Sequence, residues 1–400
     1  MSRPTQAVVL AGGRGERLRP LTDAVPKAML PFYGRPFLEY LVELFRGWGL
    51  ERILLLVGYL PNAIRDHFGE GSRWGVEITH SVTAPEALTL TRLRHAEAAL
   101  DDRFVLAYCD NYVPLPFERA CSEFAASGAA VQLTAYANGD HLTRDNLRIG
   151  EGGWVERYDR TRISSGLRGV DIGFALVDLA AIAPLPDTDS LFEEAIYPRL
   201  VDERLLRAFV TEHRYYSIGS LERLPRMARF LAREPTVILD RDGVLNEKPP
   251  RAQYVRSWDE FCWRDGALDA LRLLHDAGVR TLLATNQAGV ARGALSEHEL
   301  DDLHEQMGAE VAAAGGRIER VYSCLHGWDD GCACRKPQPG MLIQAQRDFD
   351  LDLSRTPVVG DDERDAAAAA AAGCPFLRVG GGVQLLDLVR QLVGSERLVT

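Results

Sequence analysis

The chain lacks any run of about 18 apolar residues, the length a membrane helix requires, so no spanning segment is expected. It also lacks a basic excess: 46 Lys and Arg stand against 57 Asp and Glu, a formal net charge of −11 over 400 residues. Nucleic acid and anionic membranes both demand a basic face, so neither is expected as a partner. The start, MSRPTQAVVLAGG, has neither the long apolar segment nor the small-residue cleavage site of a secretory signal. Internal repeats and a Gly/Ser linker are missing too. Cysteine is sparse, and its number is odd: Cys109, Cys121, Cys262, Cys324, Cys332, Cys334 and Cys374. Three of them fall close together, which argues against a disulfide framework and for metal ligation in a reducing cytoplasm.

What is present is an alternation of short β-rich runs with helical patterns. That pattern predicts an α/β chain with mainly parallel sheets. The length predicts two domains. QAVVLAGG (6–13) and RILLLVGY (52–59) read as strands flanking a helix over 37–48. A second series begins at TVILDRDG (236–243) and continues with VRTLLATNQ (279–287) and TPVVGDDERD (356–365). Between the series, 221–235 reads as a helix that stops before Pro235. The expected division is 1–232 and 233–400. The alanines at 366–372 read as a helix with an acidic start. DERLLRAF (202–209) reads as a solvated helix face. Trp48, Trp74 and Trp154 read as packing residues, and His67, His80 and His95 lack metal-ligand spacing.

In the second half, Asp240 and Asp242 lie two residues apart just past an apolar strand. One carboxylate can attack phosphorus once a metal such as Mg²⁺ screens the repulsion, and the other can protonate the leaving oxygen. Gly243 permits the turn that follows. Thr285 and Asn286, after the next strand, can hold phosphate oxygens. Lys336 supplies a fixed positive charge, with Arg335 beside it. Asp361, Asp362 and Asp365 can complete an oxygen shell for Mg²⁺. Four such elements in this order resemble the haloacid dehalogenase (HAD) superfamily of phosphatases over roughly 236–380. The run SCLHGWDDGCACRKP places Cys324, His326, Cys332 and Cys334 as C-x-H-x5-C-x-C, which suits a closed, structural Zn²⁺ site. With the upstream stretch NEKPPRAQYVRSWDEFCW, it is similar to the heptose bisphosphate 7-phosphatase and histidinol-phosphate phosphatase subgroup. The short zinc loop matches the histidinol type, and the upstream stretch matches the heptose type.

In the first half, Gly12, Gly13 and Gly15 follow a strand, where backbone N–H groups can approach triphosphate oxygens. Arg14 and Arg17 add charge, and Lys27 follows a proline-fixed turn. GG-x-G-x-R followed by PKAMLP resembles the sugar-nucleotide pyrophosphorylases over about 6–231. The resemblance implies a Rossmann-like, GT-A-like nucleotidyltransferase domain, followed by a HAD-like Rossmannoid domain with a zinc loop. It also implies Mg²⁺ at Asp110 in the first domain and at Asp240, Asp242, Asp361 and Asp362 in the second. Asp240, Asp242, Lys336 and Lys27 would be catalytic. The chain departs from the family in four places. Leu88 and Thr91 stand where glycines belong, Ser217 replaces the second metal aspartate, Asp171 replaces a sugar-binding asparagine, and no Glu-Lys pair is visible in WVERYDRTRI.

Together these readings imply a bifunctional enzyme of nucleotide-activated heptose synthesis, or of a similar sugar. It would remove the 7-phosphate of a heptose 1,7-bisphosphate, then join the sugar 1-phosphate to a nucleoside triphosphate. One alternative is a phosphatase whose first domain only binds. Another is a histidinol-phosphate phosphatase.

Overall fold

The computed structural model describes residues 3–394. The chain forms two compact units, Met1–Leu231 and Ala232–Thr400. Both are α/β, and both place chemistry-bearing residues just beyond the ends of buried strands.

The first unit is built on seven strands: β1 (Gln6–Ala11), β2 (Arg52–Val57), β3 (Glu77–Val82), β4 (Arg103–Tyr108), β5 (Val131–Tyr136), β6 (Val170–Asp178) and β7 (Leu206–Thr211). Their order across the sheet is β7-β5-β6-β4-β1-β2-β3. All neighbours run parallel except β6, which is antiparallel to both β4 and β5. The apolar run of β1 is buried on both faces. Ala7, Val9 and Ala11 pack into one core, while Val8 and Leu10 enter the other. This is the period-two alternation of a central strand. From β1 the chain winds outward through β2 and β3, then returns to β4 on the other side of β1. The carboxyl ends of β1 and β4 therefore flank the switch point where open α/β sheets bind ligands.

The second unit has five parallel strands: β8 (Thr236–Leu239), β9 (Arg280–Asn286), β10 (Arg320–Cys324), β11 (Val358–Gly360) and β12 (Phe376–Arg378), ordered β10-β9-β8-β11-β12. Here the switch lies between β8 and β11. Val237 and Leu239 face one core and Ile238 the other. The alanine run forms a helix, Glu363–Ala372, and its acidic start is a reciprocal cap between Asp362 and Asp365.

One element differs from its sequence reading. DERLLRAF is not a helix face: the helix Phe192–Asp202 ends at its first residue, and Leu206–Thr211 is β7. Leu206, Ala208 and Phe209 are buried. Asp202 closes the helix and Glu203 and Arg204 form the turn, so the charges of the run mark a helix end before an edge strand rather than a helix face. The packing roles of Trp48 and Trp74 hold, since both are buried, and Trp48 stacks on Phe117 at 4.8 Å.

Candidate functional site

In the second unit, the backbone of Asp240 extends β8 by one residue, its N–H donating to Val359 O of β11 at 2.9 Å. That bond places the Asp240 carboxylate at the switch point. Its Oδ1 accepts from the Arg241 N–H at 2.8 Å and lies 2.9 Å from Lys336 Nζ. Lys336 is only 4% exposed. Its ammonium is 2.5 Å from Asp365 Oδ1 and donates to Ala284 O at 2.8 Å. Burial works against the Lys336 charge, but Asp240 and Asp365 outweigh it and hold the ammonium above its ordinary value. Burial pushes the Asp240 carboxyl up to about 6; Lys336 opposes that shift, and Asp365 and Asp242 add to it.

Asn286 bonds the Lys336 backbone from both sides: its Nδ2 donates to Lys336 O, and its Oδ1 accepts from Lys336 N, each at 3.0 Å. Asn286 thus sets where the lysine stands. Thr285 is fully buried, and its hydroxyl accepts from Gln287 Nε2 at 2.8 Å. Asp242 is held by several donors: Arg241 Nη2 at 2.9 Å, Asn246 Nδ2 at 3.0 Å and Gln287 Nε2 at 2.9 Å. Burial raises its carboxyl, but these charges and bonds outweigh burial and hold it below the usual range.

Carboxylate oxygens of Asp240, Asp361 and Asp365 lie within 4.8 Å of one another. Asp361 Oδ1 is buried without a hydrogen-bond partner. Three hard oxygen donors, one with an unsatisfied buried lone pair, fit a cation such as Mg²⁺. The Asp242 and Asp362 carboxylates are not in this set. Asp362 caps its helix and pairs with Arg364 and Lys248. Gly243 has φ 90°, and a Cβ there would sit 2.4 Å from Asp361 Oδ2, so the close approach of the two loops requires glycine.

Lys336, Asp240, Thr285, Arg335, Lys248 and Trp328 line one cavity of about 870 Å³. Beside it, Cys324 Sγ, His326 Nδ1, Cys332 Sγ and Cys334 Sγ gather, the Cys334–His326 and Cys324–Cys332 separations being 3.2 and 3.7 Å. Tetrahedral Zn²⁺ with thiolate bonds of about 2.3 Å spaces its ligands about 3.8 Å apart, so the cluster fits that ion after a small expansion. Arg335 and Lys336 follow Cys334 directly.

Sequence reasoning missed two residues here, Lys248 and Arg241, and the ion pair of a third, Asp365. Lys248 lies 2.8 Å from Asp361 and 3.1 Å from Asp362. A signal existed: the chain has three lysines, Lys27, Lys248 and Lys336, and all three face carboxylates of these sites. Asp365 was counted only as one acid in a run, because the helix turn that aims it at Lys336 is invisible in spacing. Arg241 is completely buried between Asp242, Gln287 and His304. Burial and the Arg241 charge push His304 down to about 4, so its Nε2 accepts from Arg241 Nη1 at 3.1 Å.

In the first unit, the Gly12–Gly15 loop leaves β1, and Asp110 stands two residues past β4. Lys27 Nζ is 2.8 Å from Asp110 Oδ2. Burial raises the Asp110 carboxyl, but Lys27 outweighs it and holds the group below its usual value. Ser217 pairs with Asn111 across a two-stranded ribbon (Tyr216–Ser217 with Asn111–Tyr112), and Ile218 N donates to Asp110 O at 2.9 Å. Ser217 therefore faces the Asp110 segment but supplies a hydroxyl, so Asp110 forms no three-ligand cluster among the described residues. Arg14 pairs with Glu86, whereas Arg17 has no ion-pair partner among the described residues. Leu88 N and Thr91 Oγ1 both donate to Asp189, at 2.9 and 2.7 Å, which closes the stretch where the sequence comparison expects glycines. Asp171, its carboxyl raised to about 7 by burial and then by Glu193, accepts from Gly173 N at 3.0 Å.

Arg92 was also missed. It is 3% exposed and donates to the carbonyls of Gly12, Val57, Ala84 and Pro85, at 3.1 to 3.2 Å. A Cβ on Gly12 would lie 2.1 Å from that guanidinium, so the buried arginine by itself requires glycine there.

A nucleotidyl transferase family profile matches residues 6–145, and a HAD-hydrolase-like profile matches 333–397. A D-glycero-beta-D-manno-heptose-1,7-bisphosphate 7-phosphatase of Bordetella bronchiseptica is 45% identical over 152 residues, covering 38% of this chain and 84% of that protein. The crystal structure of a D,D-heptose 1,7-bisphosphate phosphatase from B. bronchiseptica, complexed with magnesium and phosphate, is 38% identical, with 40% of this chain and 97% of that chain covered and a TM-score of 0.37. A putative glucose-1-phosphate thymidylyltransferase from Bacillus anthracis covers 56% of this chain and 94% of its own, at 19% identity and TM-score 0.50. That last likeness speaks for the fold of the first unit alone.

Proposed function

We infer the activity from one premise: through its second unit the chain belongs to the D-glycero-beta-D-manno-heptose-1,7-bisphosphate 7-phosphatase family. Residues 233–400 are assigned the phosphatase, and residues 1–232 the nucleotidyl transfer, of nucleotide-activated heptose synthesis. The observation that carries this is the meeting of Asp240, Asp365 and Lys336 in one cavity at the sheet's switch point, with Asp361 completing a three-carboxylate cluster beside them.

Asp240 attacks the phosphorus of the 7-phosphate, and the bond from phosphorus to the sugar oxygen breaks. Asp242, once it leaves the clamp of Arg241, Asn246 and Gln287 and takes up a proton from solvent, gives that proton to the oxygen. Water then hydrolyses the aspartyl phosphate, with Asp242 taking up its proton. Lys336 and Thr285 bind the phosphoryl oxygens, Arg335 binds the rest of the substrate, and Asn286 keeps Lys336 in register. Asp240, Asp361 and Asp365 would hold Mg²⁺, with Asp242 and Asp362 flanking them, and the ion would neutralise charge on the phosphoryl group. Cys324, His326, Cys332 and Cys334 would hold a structural Zn²⁺. In the first unit, the backbone at Gly12, Gly13 and Gly15, with Arg14, Arg17 and Lys27, binds the triphosphate, and Asp110 would hold Mg²⁺ through few protein ligands. All seven cysteines are free, which supports a reducing cytoplasm. No helix among the described residues is long and apolar enough to cross a membrane.

A second reading rests on Ser217. With one carboxylate in its metal position, the first unit could bind nucleotide or sugar without turnover. Two assays on the full chain test these readings. Phosphate release should favour heptose 1,7-bisphosphate over histidinol phosphate and vanish in Asp240→Asn. Pyrophosphate release from a panel of nucleoside triphosphates with heptose 1-phosphate should be measurable; its absence at every Mg²⁺ concentration favours the binding-module reading.

A further inference from the structure

We propose that Arg92 is a positioning residue for the nucleoside triphosphate: from inside the first unit it turns the Gly12–Gly15 loop outward, and its buried charge draws the anionic tail to that loop. The proposal rests on the reading of the loop as the triphosphate site.

Arg92 gathers the carboxyl ends of three neighbouring strands. Its Nη2 donates to Gly12 O, just past β1, at 3.2 Å, and its Nη1 to Val57 O, at the end of β2, at 3.1 Å. Past β3, Nη2 donates to Ala84 O and Pro85 O, each at 3.1 Å, and Nη1 to the Thr83 hydroxyl. Glycines keep the space it fills: a Cβ on Gly58 would lie 2.4 Å from Nη1, and one on Gly12 would also strike the guanidinium. The helix that carries Arg92, Thr89–His95, is fixed from its far side. Leu90 N donates to Ser190 O at 3.1 Å, Thr89 Oγ1 accepts from Phe192 N at 2.7 Å, and Asp189 takes Leu88 N and the Thr91 hydroxyl. Leu88 and Thr91, which stand where glycines belong in the resembling family, thus help to anchor a buried arginine.

This geometry orients the loop. Gly12 O accepts from Arg92 and also from Tyr59 N, the latter at 3.0 Å. The Gly12–Gly13 peptide is trans, so its N–H points opposite to that carbonyl, away from the guanidinium. Gly13 is exposed, and the N–H groups of Gly13, Arg14 and Gly15 donate to no acceptor among the described residues. Successive unspent N–H donors on one turn suit phosphate oxygens.

The charge works in the same direction. Arg92 is buried and has no ion pair among the described residues. The carboxylates whose charge reaches it, Asp189 and Glu86, are engaged elsewhere, Asp189 with Leu88 and Thr91 and Glu86 with Arg14. Burial disfavours the guanidinium charge more than they support it. Carbonyl dipoles satisfy its N–H groups without cancelling its charge, and a buried charge without a counter-charge is costly. A polyphosphate on the loop's N–H groups supplies that counter-charge from the other side of one peptide plane. Arg92 acts through the loop and does not touch the ligand.

The test uses the full chain and calorimetric titration with ATP, CTP, GTP, UTP and dTTP. The triphosphate that binds the wild type most tightly is then compared with its own nucleoside. Arg92→Gln keeps N–H donors but removes the charge and the fork. It should raise the triphosphate Kd roughly tenfold or more, as on losing a charge-assisted contact, and leave the nucleoside Kd within about twofold. Arg92→Lys restores the charge without the fork that spans three strand ends, so it should recover part of the loss. Thermal melting checks folding. Where Arg92→Gln does not fold, Arg92→Lys decides alone, with the triphosphate Kd expected severalfold above wild type and the nucleoside Kd unchanged. A folded variant that binds the triphosphate as wild type does, or that loses both ligands equally, overturns the proposal and leaves the triphosphate reading of the loop standing. A wild type that binds none of the five triphosphates overturns both. Triphosphate binding that depends on Arg92, in a chain that transfers nothing, supports the proposal and removes only the turnover reading.

Discussion

Replacing Lys336 by methionine removes a buried cation from between two carboxylates, and the cost can be worked from the geometry. At 2.9 Å from Asp240 and 2.5 Å from Asp365, the ammonium gains roughly 6 and 7 kcal/mol of gross Coulomb attraction at an effective dielectric of about 20. Dehydrating the ammonium offsets several kcal/mol of that, and breaking a buried ion pair by removing one partner costs about 3–5 kcal/mol net. Asp240 and Asp365 are then left facing each other without compensation. For a unit of this size, Lys336→Met should lower the melting temperature in metal-free buffer by roughly 10 °C. Added Mg²⁺ should restore more stability to the variant than it adds to the wild type, because the ion replaces the lost charge among Asp240, Asp361 and Asp365. Phosphate release should stay at least about a hundredfold below wild type at saturating Mg²⁺, since the fixed charge on the phosphoryl group is gone. Calorimetry with and without Mg²⁺, followed by a phosphate assay, reads all three. A variant that melts within about 2 °C of wild type in metal-free buffer would show that Lys336 does not hold the carboxylates together, and the reasoning would fail.

Cys332→Ser should cost the chain its zinc, because a closed four-ligand site loses affinity with any one thiolate; metal analysis of wild type finding no zinc near one per chain would count against the site. Asp171→Asn tests a buried carboxyl raised to about 7. An acid with a raised folded pKa binds more protons folded than unfolded between about pH 4 and 7, so stability falls as pH rises through that window. The variant should therefore melt higher than wild type at pH 8, by a margin that shrinks toward pH 4; an equal margin at both pH values would show that the carboxyl does not titrate there. Asp110→Ala should abolish nucleotidyl transfer, and Ser217→Asp should lower the Mg²⁺ needed for half-maximal transfer, as measured by pyrophosphate release; no change in that Mg²⁺ requirement would remove Ser217 from the metal site.

The sequence by itself determined the α/β class, the second-unit strand ends and the acids that follow them. Those signals are local: Asp240 and Asp242 are two residues apart, and Cys324 to Cys334 span a single loop. A short apolar strand ending in polar residues needs no tertiary information to be recognised, because burial on both faces imposes the apolar run and the turn imposes the polar end. The same local reasoning failed at DERLLRAF, where a helix end and an edge strand abut and no single period describes both. Tertiary structure alone decided the rest. Asp365 meets Lys336 only because a helix cap turns it inward, and Lys248 meets Asp361 across more than a hundred residues of chain. Arg92 bonds four carbonyls from three separate segments, and Arg17, Arg144, Arg162 and Arg223 converge from loops that share no motif. An exposed arginine looks the same in sequence wherever it points; which guanidiniums face one another, and which carboxylates are left to balance them, is settled only when the strands bring their ends together.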